Sequence, residues 1–216
     1  MSNLDLFAAS GEAPDAPIPL GDGITLLRGF ADTGKLFPII EEIATRAPFR
    51  HLVTPGGQTM SVAMTNCGPV GWVSDRSGYR YSSRDPQTDR DWPTMPAEFS
   101  RIALAAATAG GFPDFVPDAC LINRYAPGAR LTAHRDADEQ NFAQPIVSVS
   151  IGLPANFAFY GLTRGGKGRT VALVDGDVLV WGGPSRLVYH AVRPLKPGQH
   201  PLTGGYRYNL TFRYAR

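Results

Sequence analysis

The chain has 216 residues, 43% hydrophobic and 19% charged, with a formal net charge of +2. This is enough for one domain with a sizeable core, and the charge is too mild to argue for a nucleic-acid partner by itself. Met1-Ser2-Asn3-Leu4-Asp5 has no basic stretch and no long apolar run follows, so a cytoplasmic monomer is expected, with no membrane segment.

In chain order, the Pro-rich stretch within residues 1–22 reads as a flexible arm. Ile24–Leu27 reads as a short strand. Asp32 or Thr33 can cap a helix reaching Ala47, with Ile39, Ile40 and Ile43 on one stripe; Pro38 is tolerable only early in it. His51–Val53 and Thr59–Met64 flank Pro55-Gly56-Gly57 as a hairpin. Cys67 to Pro93 mixes Gly, Ser, Asp and Pro with Trp72, Tyr79, Tyr81 and Trp92. It reads as a long irregular lid, too aromatic for disorder. Pro96 starts a helix that runs to Thr108. Cys67 and Cys120, in no metal spacing, read as buried thiols of a reducing compartment.

From Ala119 onward strands and turns alternate: Cys120–Tyr125, Leu131–Asp136, Ile146–Leu153, Phe157–Tyr160, Thr170–Val174, Val178–Trp181, Leu187–Val192 and Tyr206–Tyr214. About eight antiparallel strands suggest a jelly roll (double-stranded β-helix), with two helices covering one sheet. The fold class is mainly β with flanking α. An N-terminal extension and lid would occupy 23–118, and a catalytic core 119–216, within one structural domain.

His134-Arg135-Asp136 on a strand puts a His and an Asp on one face. A lone His-x-Asp is weak and His190 alone is more often a packed histidine. Together they form two imidazoles and a carboxylate, the set that leaves open positions on non-haem Fe(II). Zinc is the rival metal. A zinc hydrolase would need a further acid or base that the neighbouring Arg and Asn residues do not supply.

On the terminal strand Arg207, Asn209 and Arg213 share a face, opposite Tyr208, Leu210, Phe212 and Tyr214. Taken alone this reads as a polar face in water. If it lines the barrel instead, its guanidinium groups need anions, and a dicarboxylate such as 2-oxoglutarate would supply two. Asn123 and Tyr125, also on one face, could bond a co-substrate carboxylate or serve as ordinary core residues.

Asn-Arg-Tyr-Ala-Pro-Gly-Ala-Arg at 123–130, His-Arg-Asp at 134–136, Val-Trp-Gly-Gly at 180–183 and Arg-Tyr-Asn-Leu-Thr-Phe-Arg at 207–213 resemble the bacterial AlkB family. So do Thr54–Gly57 and Met60–Gly68, and the similarity runs over nearly the whole chain. The resemblance implies an Fe(II)/2-oxoglutarate-dependent dioxygenase that uses O2 to hydroxylate the methyl of bases such as 1-methyladenine and 3-methylcytosine. Succinate, carbon dioxide and formaldehyde would leave. It implies His134, Asp136 and His190 as iron ligands, and Asn123, Tyr125, Arg207, Asn209 and Arg213 around 2-oxoglutarate. Arg213 is expected at the far carboxylate and Arg207 at the near end.

It further implies that Trp72, Tyr79, Tyr81, Asp138 and Arg164 touch alkylated DNA. Without the family, Trp72 and Tyr79 could anchor the loop, Asp138 could be a turn residue and Arg164 a solvated one. Arg76, Arg80 and Arg84 offer a phosphate track along the lid. Ala137 stands where the family has a lysine, and Gln58 where an aromatic is common, which touches substrate preference and not the reaction. The alternatives are an oxygenase acting mainly on RNA, and a non-catalytic module that binds lesions.

Overall fold

A computed structural model describes residues 16–216. Most of the expected arm lies outside them, but Ile18–Gly21 at its end is a strand, β1, paired with β2 (Ile24–Leu27). Helix α1 (Thr33–Arg46) is capped by Asp32, whose side chain accepts from the Lys35 amide at 3.3 Å. Pro38 sits in its second turn and has no N–H to give Gly34; the helix continues because Leu36, Phe37, Ile40 and Ile43 are buried along it. β3 (Arg50–Val53) and β4 (Thr59–Cys67) form the expected hairpin, β4 running longer than the pattern showed.

The stretch expected to be irregular is instead a second hairpin, β5 (Gly71–Asp75) with β6 (Gly78–Ser82), in register from Gly71↔Ser82 to Asp75↔Gly78. α2 (Ala97–Ala109) follows Pro96 and stops at Gly110, where a Cβ would lie 2.7 Å from Val180. The remaining strands are β7 (Ala119–Tyr125), β8 (Leu131–His134), β9 (Ile146–Gly152), β10 (Ala155–Gly161), β11 (Arg169–Leu173), β12 (Val178–Trp181), β13 (Tyr189–Val192) and β14 (Arg207–Arg213).

All pairings are antiparallel. The large sheet has 8 strands in the order β1-β2-β12-β9-β14-β7-β4-β3, and a 4-stranded sheet β11-β10-β13-β8 faces it, as a jelly roll requires. The large sheet takes strands from both sides of residue 118, so the lid-and-core division marks no break in it.

Strand alternation separates two cores. Val178 and Val180 of β12, Cys120 and Ile122 of β7, and Leu210 and Phe212 of β14 meet Phe99, Ala103 and Ile40 of the helices. Leu179, Trp181, Leu121 and Tyr125 point the other way, onto Phe157 and Phe159 of the small sheet. Phe99 meets Phe212 edge-on at 5.9 Å, and Phe37 meets Tyr208 at 5.2 Å. The polar residues of β14 must therefore face the space between the sheets. No described helix is long and apolar enough to cross a membrane.

Candidate metal and co-substrate site

β13 pairs with β8 so that His190 lies opposite His134, and their rings are 4.4 Å apart. β8 ends at His134, so Asp136 is not on the strand as expected. It lies two residues past the strand end and still turns inward, with Oδ2 3.8 Å from Nε2 of His190. One ligand atom from each of the three residues lies within 4.8 Å of the others.

The imidazoles are set up as ligands. Nδ1 of His134 faces the Thr132 carbonyl at 2.8 Å and Nδ1 of His190 faces that of Val188 at 3.1 Å. A carbonyl only accepts, so each Nδ1 carries a proton and turns Nε2 of its ring toward the site. Burial, with His134 beside it, pushes His190 down to about 4 against the pull of Asp136, so its ring is neutral at ordinary pH. Burial disfavours the Asp136 carboxylate, but Arg213, then both imidazoles and Arg186, outweigh burial and hold it well below the usual range. Its buried Oδ2 has no hydrogen-bond partner. Two imidazoles beside an unpartnered carboxylate oxygen fit a divalent cation.

Arg207, Asn209, Thr211 and Arg213 are all buried on the inner face of β14, with Tyr125 opposite Arg207 and Asn123 opposite Asn209. Arg213 reaches Oδ1 of Asp136 at 3.0 Å, so it stands at the metal end. Arg207 stands away from it, donating to the Ser150 hydroxyl at 2.8 Å and reaching the Leu153 carbonyl at 3.4 Å. The expected order of the two arginines is therefore reversed. Arg207 is 1% exposed and has no carboxylate within ion-pair distance among the described residues, Asp177 and Asp175 acting on it only from farther off. Its Nε is unpartnered, as is Oδ1 of Asn123. Burial raises the Tyr125 phenol despite Arg207 beside it, so it stays a donor. The Asn209 amide gives to Ser148 and Val149 and accepts from Thr211, beside Asn123 on the same inner face.

At the outer rim, Trp72 and Tyr79 stack at 5.6 Å, and the Trp72 indole donates to Asp138 at 2.8 Å. Both rings belong to the β5–β6 hairpin, and Asn66 grips the main chain of Trp72 through two bonds of 3.0 Å. Tyr81 is turned inward, donating to Glu139 at 2.7 Å, and is not at the rim. Arg164 lies over Tyr189 at 5.5 Å, with Arg135 over the same ring at 5.5 Å. Arg80 is paired with Asp75, and Arg84 with Asp89 and Asp91, so the lid's phosphate track is largely neutralised from within. Glu139 and Arg186, both buried beside Arg213 and Asp136, have no signal in the sequence. Each is a single charged residue whose partners come from distant segments. Trp181, with an unpartnered Nε1 and its ring 5.2 Å from His190, was visible only as part of a strand.

Residues 23–213 match the 2OG-Fe(II) oxygenase superfamily. The chain is 56% identical over 214 residues to the alpha-ketoglutarate-dependent dioxygenase AlkB of Escherichia coli (strain K12), covering 98% of each. It is 40% identical over 204 residues to the AlkB homolog of Caulobacter vibrioides (strain NA1000 / CB15N), covering 93% of this chain and 91% of that one. The solved structure of OsALKBH1 superposes with a TM-score of 0.82 at 28% identity, covering 92% of this chain and 99% of that one.

Proposed function

Because this chain belongs to the AlkB family within the 2OG-Fe(II) oxygenase superfamily, we propose a division of labour among its residues for the oxidative repair of N-alkylated DNA bases. The protein is an Fe(II)/2-oxoglutarate-dependent dioxygenase. His134, Asp136 and His190 would hold the iron, which when bound supplies the oxidation of the N-alkyl group, with 2-oxoglutarate and O2 as co-substrates. Arg207, with Asn123 and Tyr125, takes the far carboxylate of 2-oxoglutarate. Arg213 steadies the end nearest the metal, and Asn209 keeps Ser148 and Thr211 in place along this co-substrate lane.

The observation that carries this reading is Arg207. A guanidinium 1% exposed and without an acidic contact is costly to bury, and a carboxylate brought in by a co-substrate offsets that cost.

At the rim, Trp72 and Tyr79 present aromatic faces for a flipped base, and Asp138 orients the Trp72 indole while placing negative charge beside it. A methyl on N1 of adenine or N3 of cytosine makes the base cationic and weakens pairing, which lowers the cost of flipping. Arg164 and Arg135 both lie against the Tyr189 ring and offer basic groups for the backbone. A cytoplasmic monomer acting on DNA, with RNA as the alternative polymer, completes the reading. The test is formaldehyde and succinate release on matched oligonucleotides of methylated DNA and methylated RNA. Neither product from either polymer would overturn it, and succinate without formaldehyde would mean that the oxidised substrate is something else.

A further inference from the structure

Asp136 belongs to a ring of ion-pair contacts of alternating charge, in which Nε of Arg213 and Oε2 of Glu139 make no hydrogen bond. Oδ1 of Asp136 is 3.0 Å from Nη2 of Arg213, and Nε of Arg213 is 3.3 Å from Oε1 of Glu139. Oε2 of Glu139 is 3.1 Å from Nη2 of Arg186, and Nη1 of Arg186 returns to the main-chain carbonyl of Asp136 at 2.9 Å. The four side chains are all 10% exposed or less. Apolar residues of similar volume commonly pack as stably as buried ion pairs. The value of these contacts therefore lies in the geometry they set.

Arg186 is the member supplied by the segment that precedes β13. Two of its guanidinium nitrogens donate to the segment that starts at Asp136, Nη1 to the carbonyl of Asp136 and Nε to that of Gln144 at 2.9 Å, while Nη2 is ion-paired with Glu139 without a hydrogen bond. Arg186 also lies four residues before His190, in the run that leads into β13. One side chain thus ties the segment bearing one candidate ligand to the segment bearing another. Oδ1 of Asp136 is ion-paired with Arg213, whereas its Oδ2 is buried without a hydrogen-bond partner and lies 3.8 Å from Nε2 of His190.

We propose that Arg186 is a positioning residue for the metal. By holding the carbonyl of Asp136 and, through Glu139, the guanidinium of Arg213, it fixes the carboxylate so that Oδ2 alone is offered to the ion. This rests on the reading that the triad holds iron, and extends it to a residue that never touches the ion.

The test is an oxygen-free titration of Co(II) into the full chain, followed by calorimetry and visible absorption, with thermal unfolding of each metal-free protein. Arg186→Lys keeps a charge opposite Glu139 but cannot span both carbonyls; Arg186→Met removes charge and donors together. Groups that orient metal ligands typically contribute about 10–100-fold in affinity. The dissociation constant for Co(II) is expected to rise about 10-fold in Arg186→Lys and toward about 100-fold in Arg186→Met, with a changed Co(II) absorption band. An arginine with a merely structural role would lower the unfolding temperature and leave the affinity and spectrum of the folded protein where they were. Wild-type affinity and spectrum in Arg186→Lys overturn the proposal, whether or not Arg186→Met folds. If the wild-type chain itself takes up no Co(II), the triad reading fails and this one with it.

Discussion

Asp136 does two things with its two oxygens, and the separation makes its role testable. Oδ1 meets Arg213 and Oδ2 is left toward the imidazoles, so Asp136→Ala removes a candidate ligand and also half of the anionic surroundings of Arg213. Turnover of a methylated oligonucleotide should vanish, and formaldehyde release near the wild-type rate with added Fe(II) would rule out the triad. Arg207→Ala should weaken 2-oxoglutarate binding by about 1.5–3 kcal/mol, roughly one to two decades in Kd. Arg207→Lys should recover only part, since it lacks the planar fork. An unchanged Kd for co-substrate in Arg207→Ala would return this buried cation to a structural role.

At the rim, Asp138→Asn can still accept from the Trp72 indole but loses the charge. It should therefore slow repair of 1-methyladenine and 3-methylcytosine more than repair of neutral N-alkylated bases, measured at fixed salt because phosphate contacts are salt-dependent. Equal losses for both lesion types would assign Asp138 to holding the ring alone. That His134, Asp136 and His190 lie together was legible from the His-x-Asp pair and a second histidine in a strand-like run, and the inward face of Arg207 and Arg213 from strand alternation. The order of Arg207 and Arg213 along the lane was not, since it depends on which end of β14 meets Asp136.

Among the elements, the β5–β6 hairpin carries Trp72, Tyr79 and Tyr81, and its placement depends on a close approach at its first residue. A Cβ on Gly71 would stand 2.6 Å from the Trp92 ring and 2.8 Å from Cβ of Asn66. Trp92 is buried and its indole donates to the Ser82 carbonyl at 3.0 Å, so the ring cannot step aside without releasing the end of β6. Gly71→Ala should cost about 1–3 kcal/mol by overpacking, lower the unfolding temperature and raise the KM for oligonucleotide. An unaltered KM with a full loss of stability would show that the hairpin's position does not matter to substrate. This hairpin was unreadable as strands because Gly, Ser, Arg and Asp dilute the apolar alternation that marks a half-buried strand. β1 was hidden in the same way by prolines, which are tolerated because it is an edge strand. The eight strands after residue 118 were legible to within a few residues, since Gly and Asp turns separate clear apolar runs.

Across the whole molecule, the candidate site joins the two sheets: His134 and His190 come from the small one, and the buried Arg207 and Arg213 from the large one. Ligands that bind only the folded state should therefore stabilise the entire sandwich. Mn(II) with 2-oxoglutarate at about 100 times its Kd should add about 2.7 kcal/mol, seen as one cooperative upward shift of the unfolding transition that chelation reverses. Two separated transitions would mean that the sheets unfold independently.

The order of the large sheet has a consequence for how the chain is made. β14, the last described strand in sequence, lies in the middle of the sheet between β9 and β7. Until it has left the ribosome, the facing edges of β9 and β7 have no partner, and the apolar floor under the two helices is missing its central plank, Tyr208, Leu210 and Phe212. A nascent chain in that state exposes two open strand edges, a state prone to pairing with other chains. Ribosome-stalled chains ending before residue 207 should thus remain protease-sensitive over almost their whole length, and protection should arrive in a single step once β14 emerges.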